Sequence, residues 1–521
     1  MTIKNIKQFK ELTSYGTVVL ERFWDGSSTA SGGTFLWDPE SVLTEIPGLI
    51  IKPTTAAPLA GGNKGRWVRQ YSGAINVDWF GASNKNQTMI TLGISQVDAD
   101  AIYGVGFCNV NVDTCDATAI NYGLSLLASG YFSVEFTGTI YHINKVLEIP
   151  KVYSSSGEHY KFIISGNGCR IKAIANGSYT MMRRNIASNY AQSQTMQDTA
   201  VKIQDFKFEG LGNDIALMIG PSYSSDISNI SVSGCNRAIH CAYTMNCNIH
   251  GIETTNCEDS VGVILVDIDP SASYISGATG ANHTSISKCR LFGGNSTAIG
   301  IAVLGTSGVV IQDCIVEGPG AWLHPIYFDS KDSGPVKYFE CKNLHLEISA
   351  TGTQNSAAIY VRPKGQATVT SGQGQVSISS IFGQYGKVLL EIEPVGECFV
   401  KVSDINYWLP SASGKYMKVT KINSGDNVRI NINNSPALPR DIDRNSNYWI
   451  GTKPLIFTEL SNVSPPSFNG IELHHVVFDN ISQNYYRYIS PGNWQQCTSG
   501  GAQLNPFCTV SVLATSAHKP Q

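Results

Sequence analysis

The sequence predicts an all-β protein built on a parallel β-helix, and three observations carry that reading. The first is a repeat between residues 203 and 409. Eight segments open on a large apolar residue, carry a second three positions on and, with one exception, a third two further: Ile203/Phe206/Phe208, Ile227/Ile230/Val232, Ile249/Ile252/Thr254, Ile286/Cys289/Leu291, Ile311/Cys314/Val316, Cys341/Leu344/Leu346, Ile378/Ile381/Gly383 and Val402/Ile405/Tyr407. Gly383 is the exception and Thr254 is only half apolar. The starts recur at intervals of 22 to 37 residues, the mark of a solenoid whose turns bury their apolar faces on one another. The second observation is a later short strand in most units: Ile215/Leu217/Ile219, Ile239/Cys241/Tyr243, Val261/Val263/Leu265, Ile299/Ile301/Val303, Ile326/Phe328, Ile359/Val361 and Val388/Leu390/Ile392. Its alternation has period two, which puts one set of side chains inside, whereas helical repeats recur at three and four. The third is composition, with 50 Gly, 42% hydrophobic and only 15% charged residues, so the turns draw their polarity from Ser, Thr, Asn and Gln.

Charge and motifs exclude several functions. A net charge of −3 over 521 residues offers no basic surface for nucleic acid or membrane. No apolar run is long enough to span a bilayer, and the start, MTIKNIKQFKELTSYG, lacks the charged-then-apolar signature of a signal peptide. The expectation is a soluble protein made in the cytoplasm, with no membrane insertion. Thirteen cysteines are an odd count without CxxC pairing, and Cys289 and Cys314 take the same apolar slot. They read as buried reduced thiols, with no metal and no cofactor. There is no Walker loop, nucleophile elbow or HExxH.

Four regions follow. Residues 1–80 are rich in Gly, Pro and aromatics and contain GGTFLWDPES, KGRWVRQ and INVDWFGA. Residues 81–150 form a helix-capped opening to the β-helix. Within it, residues 114–130 read as one amphipathic helix capped by Thr114 or Asp113, with Ala119, Ile120, Leu124, Leu127 and Ala128 apolar, before strand-like FSVEFTGTIYHINKVLEIP. A helix over the first coil protects an open edge. Residues 151–435 are the β-helix. In residues 436–521 the coil spacing is gone while Trp449, His474, His475, Tyr485, Tyr486, Tyr488 and Trp494 accumulate, as in a small β domain for capping, trimerisation or glycan binding.

The order of a Trp-rich opening, an FGA turn, an acidic-Ala helix and a strand reading FTGTIYHI before β-helix coils resembles bacteriophage tailspike proteins of the pectate-lyase-like superfamily. The segments WVRQ (residues 67–70) and WFGA (residues 79–82), with the helix that matches the family's Asp-Thr-Ala-Ala-Ile stretch, carry the resemblance, which covers about residues 16–410. One departure is the family's acidic loop after FGA, replaced here by the longer residues 83–114 with only Asp113 and Asp116 near the helix. The resemblance implies a right-handed β-helix, a homotrimer at the distal end of a virion tail, attachment through other phage tail proteins, and binding and cleavage of a bacterial surface polysaccharide outside the cell. The scaffold hosts different active sites, so the chemistry is sought in the repeat.

Position six after each start points outward and reads Glu209, Ser233, Thr255, Phe292, Glu317, Glu347, Gln384 and Trp408. Coils lie roughly 5 Å apart, so Glu317 and Glu347 become neighbours, a spacing suited to glycoside hydrolysis. The bland alternative is two solvated side chains. In the second strand, the third position after the first apolar residue places Asp329, Arg362 and Glu391 on successive coils, a second catalytic or sugar-clamping set that can equally be a surface ion ladder. Tyr327, Tyr360, His345, Phe382 and Trp408 flank these columns, where aromatic faces stack on sugar rings or pack between subunits. Asp267 and Asp269 end a strand before a long insertion, a third candidate, although Asp before Pro commonly closes a strand. A β-eliminating lyase using Arg362 with Tyr327 or Tyr360, and a non-enzymatic adhesin using the same groove, remain open alternatives to hydrolysis.

Overall fold

The repeat spacing of three then two is set by one backbone device. In all eight units the residue two after the start is in the left-handed region: Asp205, Asn229, Gly251, Lys288, Asp313, Asn343, Ser380 and Asp404, with φ between +52 and +64°. One left-handed residue bends the strand and consumes one step of the alternation, so the start and the residue three on both face inward. Asn, Asp and Gly dominate because they tolerate this conformation best. The corner side chains also stack, with Asn229 Nδ2 donating to Asp205 Oδ1 at 3.0 Å and Asn343 Nδ2 to Asp313 Oδ1 at 2.6 Å.

The structure, a computed structural model, describes residues 1–150 apart from 14 and 55–63, and residues 161–408 apart from 176, 185–199, 221, 243, 268–282, 306–307, 319–321, 331–337, 349–356, 364–374 and 385–387. Beyond these it describes residues 415–420, 427–433, 449–450, 476–479, 484–490 and 493–497. The chain forms two units, Met1–Cys257 with Ser271–Ser276, and Glu258–Pro270 with Gly277–Gln521.

In the first unit a five-stranded sheet comprises Thr2–Ile3, Thr17–Leu20, Gly33–Asp38, Arg66–Arg69 and Ile50–Ile51, in that spatial order. The WVRQ segment has a physical role here. Arg69 is buried between the Phe35 and Trp79 rings, 4.7 and 4.6 Å from their centroids, and donates to the carbonyls of Gly48, Gly32 and Ser31 at 2.5, 2.7 and 3.2 Å. Burial lowers its pKa to about 9. The WFGA turn needs Gly81, whose φ is +97° and whose missing Cβ leaves room for Trp24.

The expected helix spans Cys115–Ser125, and Thr114 is its cap, accepting from the Ala117 amide at 3.1 Å. A 3-10 turn, Leu126–Ser129, follows, and Ala128 is exposed rather than apolar-facing. Asp116 is fully buried and accepts from the amides of Ser83, Asn84 and His142, tying the FGA turn and the strand Ile140–Ile143 to the helix. The insertion at residues 83–114 holds a second helix, Gln96–Tyr103, with a Ser95/Asp98 capping box.

The parallel stack follows the register that the repeat predicts. In the first unit Ile203, Ile227 and Ile249 pair in one column, Phe206, Ile230 and Ile252 in the next, and all are buried. The stack begins earlier than the repeat indicates, since Val134 pairs with Ile164 and Ile164 with Ile203. That coil escapes detection because its corner is longer, placing Cys169 five residues after Ile164 opposite Phe206. In the second unit Ile286, Ile311, Cys341, Ile378 and Val402 form one buried column. Pairing continues past residue 409, with Val402 opposite Ile432 and Ile432 opposite Ile450. Val476–Asp479, Asn484–Ser490 and Asn493–Cys497 form a separate antiparallel sheet.

Full burial of each Ile or Phe stabilises by roughly 1.5–3 kcal/mol relative to exposure, so the interior columns dominate the stack's stability. Among the described residues, eleven cysteines are buried as reduced thiols, and burial pushes the Cys235 thiol up to about 12. No helix among the described residues is long and apolar enough to cross a membrane.

Candidate functional site

The outward column of the second unit is assembled as the spacing predicts. Phe292 pairs with Glu317, Glu317 with Glu347, Glu347 with Gln384 and Gln384 with Trp408. The side chain of Trp408 lies outside the described residues. Glu317, Glu347 and the neighbouring His345 offer three ligand atoms within 4.8 Å of one another. The pair is not merely solvated. Arg290 donates to Glu317 Oε1 from Nη2 at 2.7 Å and from Nε at 3.2 Å. His345 Nε2 lies 3.3 Å from Glu347 Oε2, and Gln384 Nε2 donates to Glu347 Oε1 at 3.2 Å. Phe382, in register with His345, packs its ring 4.9 Å from the imidazole and is itself 39% exposed, so it offers a face to a ligand. Sequence reasoning missed Arg290, which sits two residues before Phe292 on the preceding coil and carried no repeat signal of its own.

The second-strand set is corrected in one member. Asp329 and Arg362 are in register, but Glu391 lies opposite Tyr360 and Lys418, in the column of Ala302, Tyr327 and Tyr360. The misplacement has a simple cause. Val388 pairs with Ala357 rather than with Ile359, so aligning strands on their first large apolar residue slips by two. The acid that meets Arg362 is Glu393, with its Oε1 3.0 Å from Nε. That Nε–H is aligned with no acceptor among the described residues, so this contact is Coulombic rather than a directed hydrogen bond. Arg362 Nη1 is 3.5 Å from Asp329 Oδ2. Although burial works against its charge, Asp329 and Glu393 together raise the Arg362 pKa. Glu391 is held apart from this group by Lys418 at 2.7 Å and Thr420 at 3.1 Å.

Tyr327 and Tyr360 stack at 4.8 Å with planes 7° apart. Burial, then Asp329, pushes Tyr327 up to about 12. Burial and a hydrogen bond donated to Glu393 at 2.5 Å raise Tyr360 further. His324 contacts both rings, its Nδ1 lies 3.0 Å from the Ala357 carbonyl oxygen and 3.4 Å from the Ala357 amide nitrogen, and burial lowers its pKa.

Asp267 is buried at the end of the strand Ile264–Asp267, while Asp269 lies outside the described residues. In the first unit the left-handed corners line a groove of about 690 Å³ with Asn167, Asp205, Lys207, Asn229, Ser231 and Glu253. None of the residues singled out from the sequence for chemistry lies in it. The signal that would have found it is the run of Asp, Asn and Gly two positions after each start.

No protein-family model and no curated protein matches this chain. Among solved structures, the Acinetobacter baumannii phage AM24 tailspike protein is similar at 14% identity and a TM-score of 0.45, covering 82% of this chain and 61% of that one. A tailspike protein from Acinetobacter baumannii bacteriophage Fri1, described as a capsular polysaccharide depolymerase, gives 11%, 0.41, 88% and 70% by the same measures. A Geobacillus virus E2 protein, ORF18, gives 10%, 0.43, 96% and 99%. This chain thus spans 61% of the length of the first of these proteins. At these identities and scores the similarity assigns no family, and the function rests on this chain's own residues.

Proposed function

We propose that the protein is a phage tailspike that binds and hydrolyses a bacterial surface polysaccharide, capsule or O-antigen, with Glu317 and Glu347 as the catalytic pair. The observation that carries the reading is their side-by-side register on adjacent coils, with ligand atoms within 4.8 Å. Carboxyl groups about 5–5.5 Å apart suit a retaining glycosidase, whereas inversion needs roughly 6.5–9.5 Å to admit a water. Glu317, whose Oε1 accepts from Arg290, is the nucleophile that attacks the anomeric carbon. Glu347, the more exposed of the two, donates its proton to the departing glycosidic oxygen, then takes one from the water that hydrolyses the glycosyl-enzyme. Phe382, exposed beside His345, is the sugar platform in this reading, and the sequence offers Trp408 as a second. Arg362, Asp329, Tyr327 and Tyr360 are the polar and aromatic groups for further sugar units.

A β-eliminating lyase is less well supported. Its base would be Tyr327 or Tyr360, and both phenols hold their protons far above neutral pH. The proposal extends to a homotrimer at the tail tip, joined through other tail proteins. Reducing-end release from purified capsular and O-antigen polysaccharides tests it. Glu317→Gln and Glu347→Gln should each lose about 10²–10⁴-fold in rate. Glycan binding with no release from the intact protein favours the adhesin, and full activity in both variants removes this pair.

A further inference from the structure

We propose that Glu317, His345 and Glu347 also form a site for a borderline first-row transition cation, Zn²⁺ or Ni²⁺. Their ligand atoms lie within 4.8 Å of one another, and His345 Nε2 is already 3.3 Å from Glu347 Oε2. Around a tetrahedral ion with ligands at about 2.0–2.2 Å, those atoms stand roughly 3.3–3.6 Å apart. Closing the set therefore takes rotation of the glutamate side chains and leaves the backbone alone. The stacked coils preassemble the donors. His345 and Glu347 are two residues apart on one strand and so share a face, while Glu317 is supplied in register from the neighbouring coil. The ring of Phe382 against His345 restricts the imidazole. One nitrogen and two carboxylates are too few oxygens for Ca²⁺, which takes six to eight, and the imidazole favours Zn²⁺ or Ni²⁺ over Mg²⁺.

Arg290 is the built-in competitor. It occupies Glu317 Oε1 with a side chain that is 59% exposed. Ion and guanidinium compete for one carboxylate, so losing His345 and losing Arg290 act in opposite directions. A surface that collected zinc without a defined geometry would not show this. The site shares carboxylates with the proposed catalytic pair, but ion binding is read without glycan, so either reading can fail alone.

The experiment is calorimetric titration of the chelator-stripped full chain with ZnCl₂. Wild type should bind saturably. His345→Gln and Glu347→Gln should each weaken binding tenfold or more, by analogy with the 10–100-fold cost of losing even an outer-shell partner. Arg290→Ala should tighten it. The adjacent His474 and His475 provide a control, and a variant with both changed to Ala should bind as wild type does. Absence of saturable binding in wild type overturns the proposal, as does wild-type affinity in His345→Gln or loss of binding in the His474/His475 variant. Should His345→Gln fail to fold, Glu347→Gln tests the same donor set, and wild-type affinity there overturns the proposal equally.

Discussion

Gly383→Ala is the sharpest probe of the stack, because Gly383 alone breaks the apolar pattern and the structure explains why. Its φ is +127°, and a Cβ there would stand 2.1 Å from the Leu346 carbonyl oxygen and 2.7 Å from its carbon, on the coil before. An unfavourable φ of this kind costs about 1–3 kcal/mol for a residue with a side chain. The obstacle is backbone in a hydrogen-bonded ladder, so relief requires a shift costing about 1–3 kcal/mol and weakens ladder bonds worth about 1 kcal/mol each. Together, with one ladder bond lost, these come to about 3–7 kcal/mol. Gly308→Ala is the matched control within the same unit, since its Cβ meets nothing nearer than 3.5 Å, and its expected effect is within about 1 kcal/mol of zero. Urea unfolding followed by far-ultraviolet circular dichroism measures both. Equal midpoints for the two variants would refute the register that sets Gly383 against Leu346.

Other outcomes follow from the same geometry. Asn343→Val places a β-branched residue at φ +52° and removes the bond to Asp313, so it should cost about 2–3 kcal/mol in the same unfolding assay. Arg69→Lys loses the fork that spans three backbone carbonyls and its contact with Phe35 and Trp79, and should destabilise by about 2–4 kcal/mol by thermal or urea melts. His324 has a folded-state pKa lowered by burial, so its contribution to stability is present above the unfolded value of about 6.5 and lost as pH falls toward the folded one. Unfolding midpoints between pH 7 and 5 should therefore flatten in His324→Gln, and an unchanged slope would count against a neutral buried imidazole.

The interior columns were legible because burial imposes a regular pattern on large apolar residues. The same pattern placed Glu317 beside Glu347 without any structural input. What escaped had local causes. The coil at Ile164 was hidden by a longer corner, and the coil at Ile432 because its second apolar slot falls on Ser435. The Glu391 assignment slipped by two because a second-strand alignment rests on two or three residues, against the longer span that fixes the first. Glu393 and Arg290 entered the site through side-chain reach, which spacing does not encode. The left-handed corners were visible in the sequence as recurring Asp and Asn, but their meaning depends on φ.

The stereochemistry of the first sugar released tests the central claim most directly. Proton magnetic resonance of the anomeric signal, recorded at early times on whichever capsular or O-antigen polysaccharide releases reducing ends in the presence of the protein, reads it without mutation. Placed in register on adjacent coils with one oxygen of each within 4.8 Å, Glu317 and Glu347 fit the closer, retaining geometry, and the proposal predicts the same anomeric configuration as the cleaved linkage, before mutarotation. An inverted anomer, or an unsaturated product of elimination, would contradict the account.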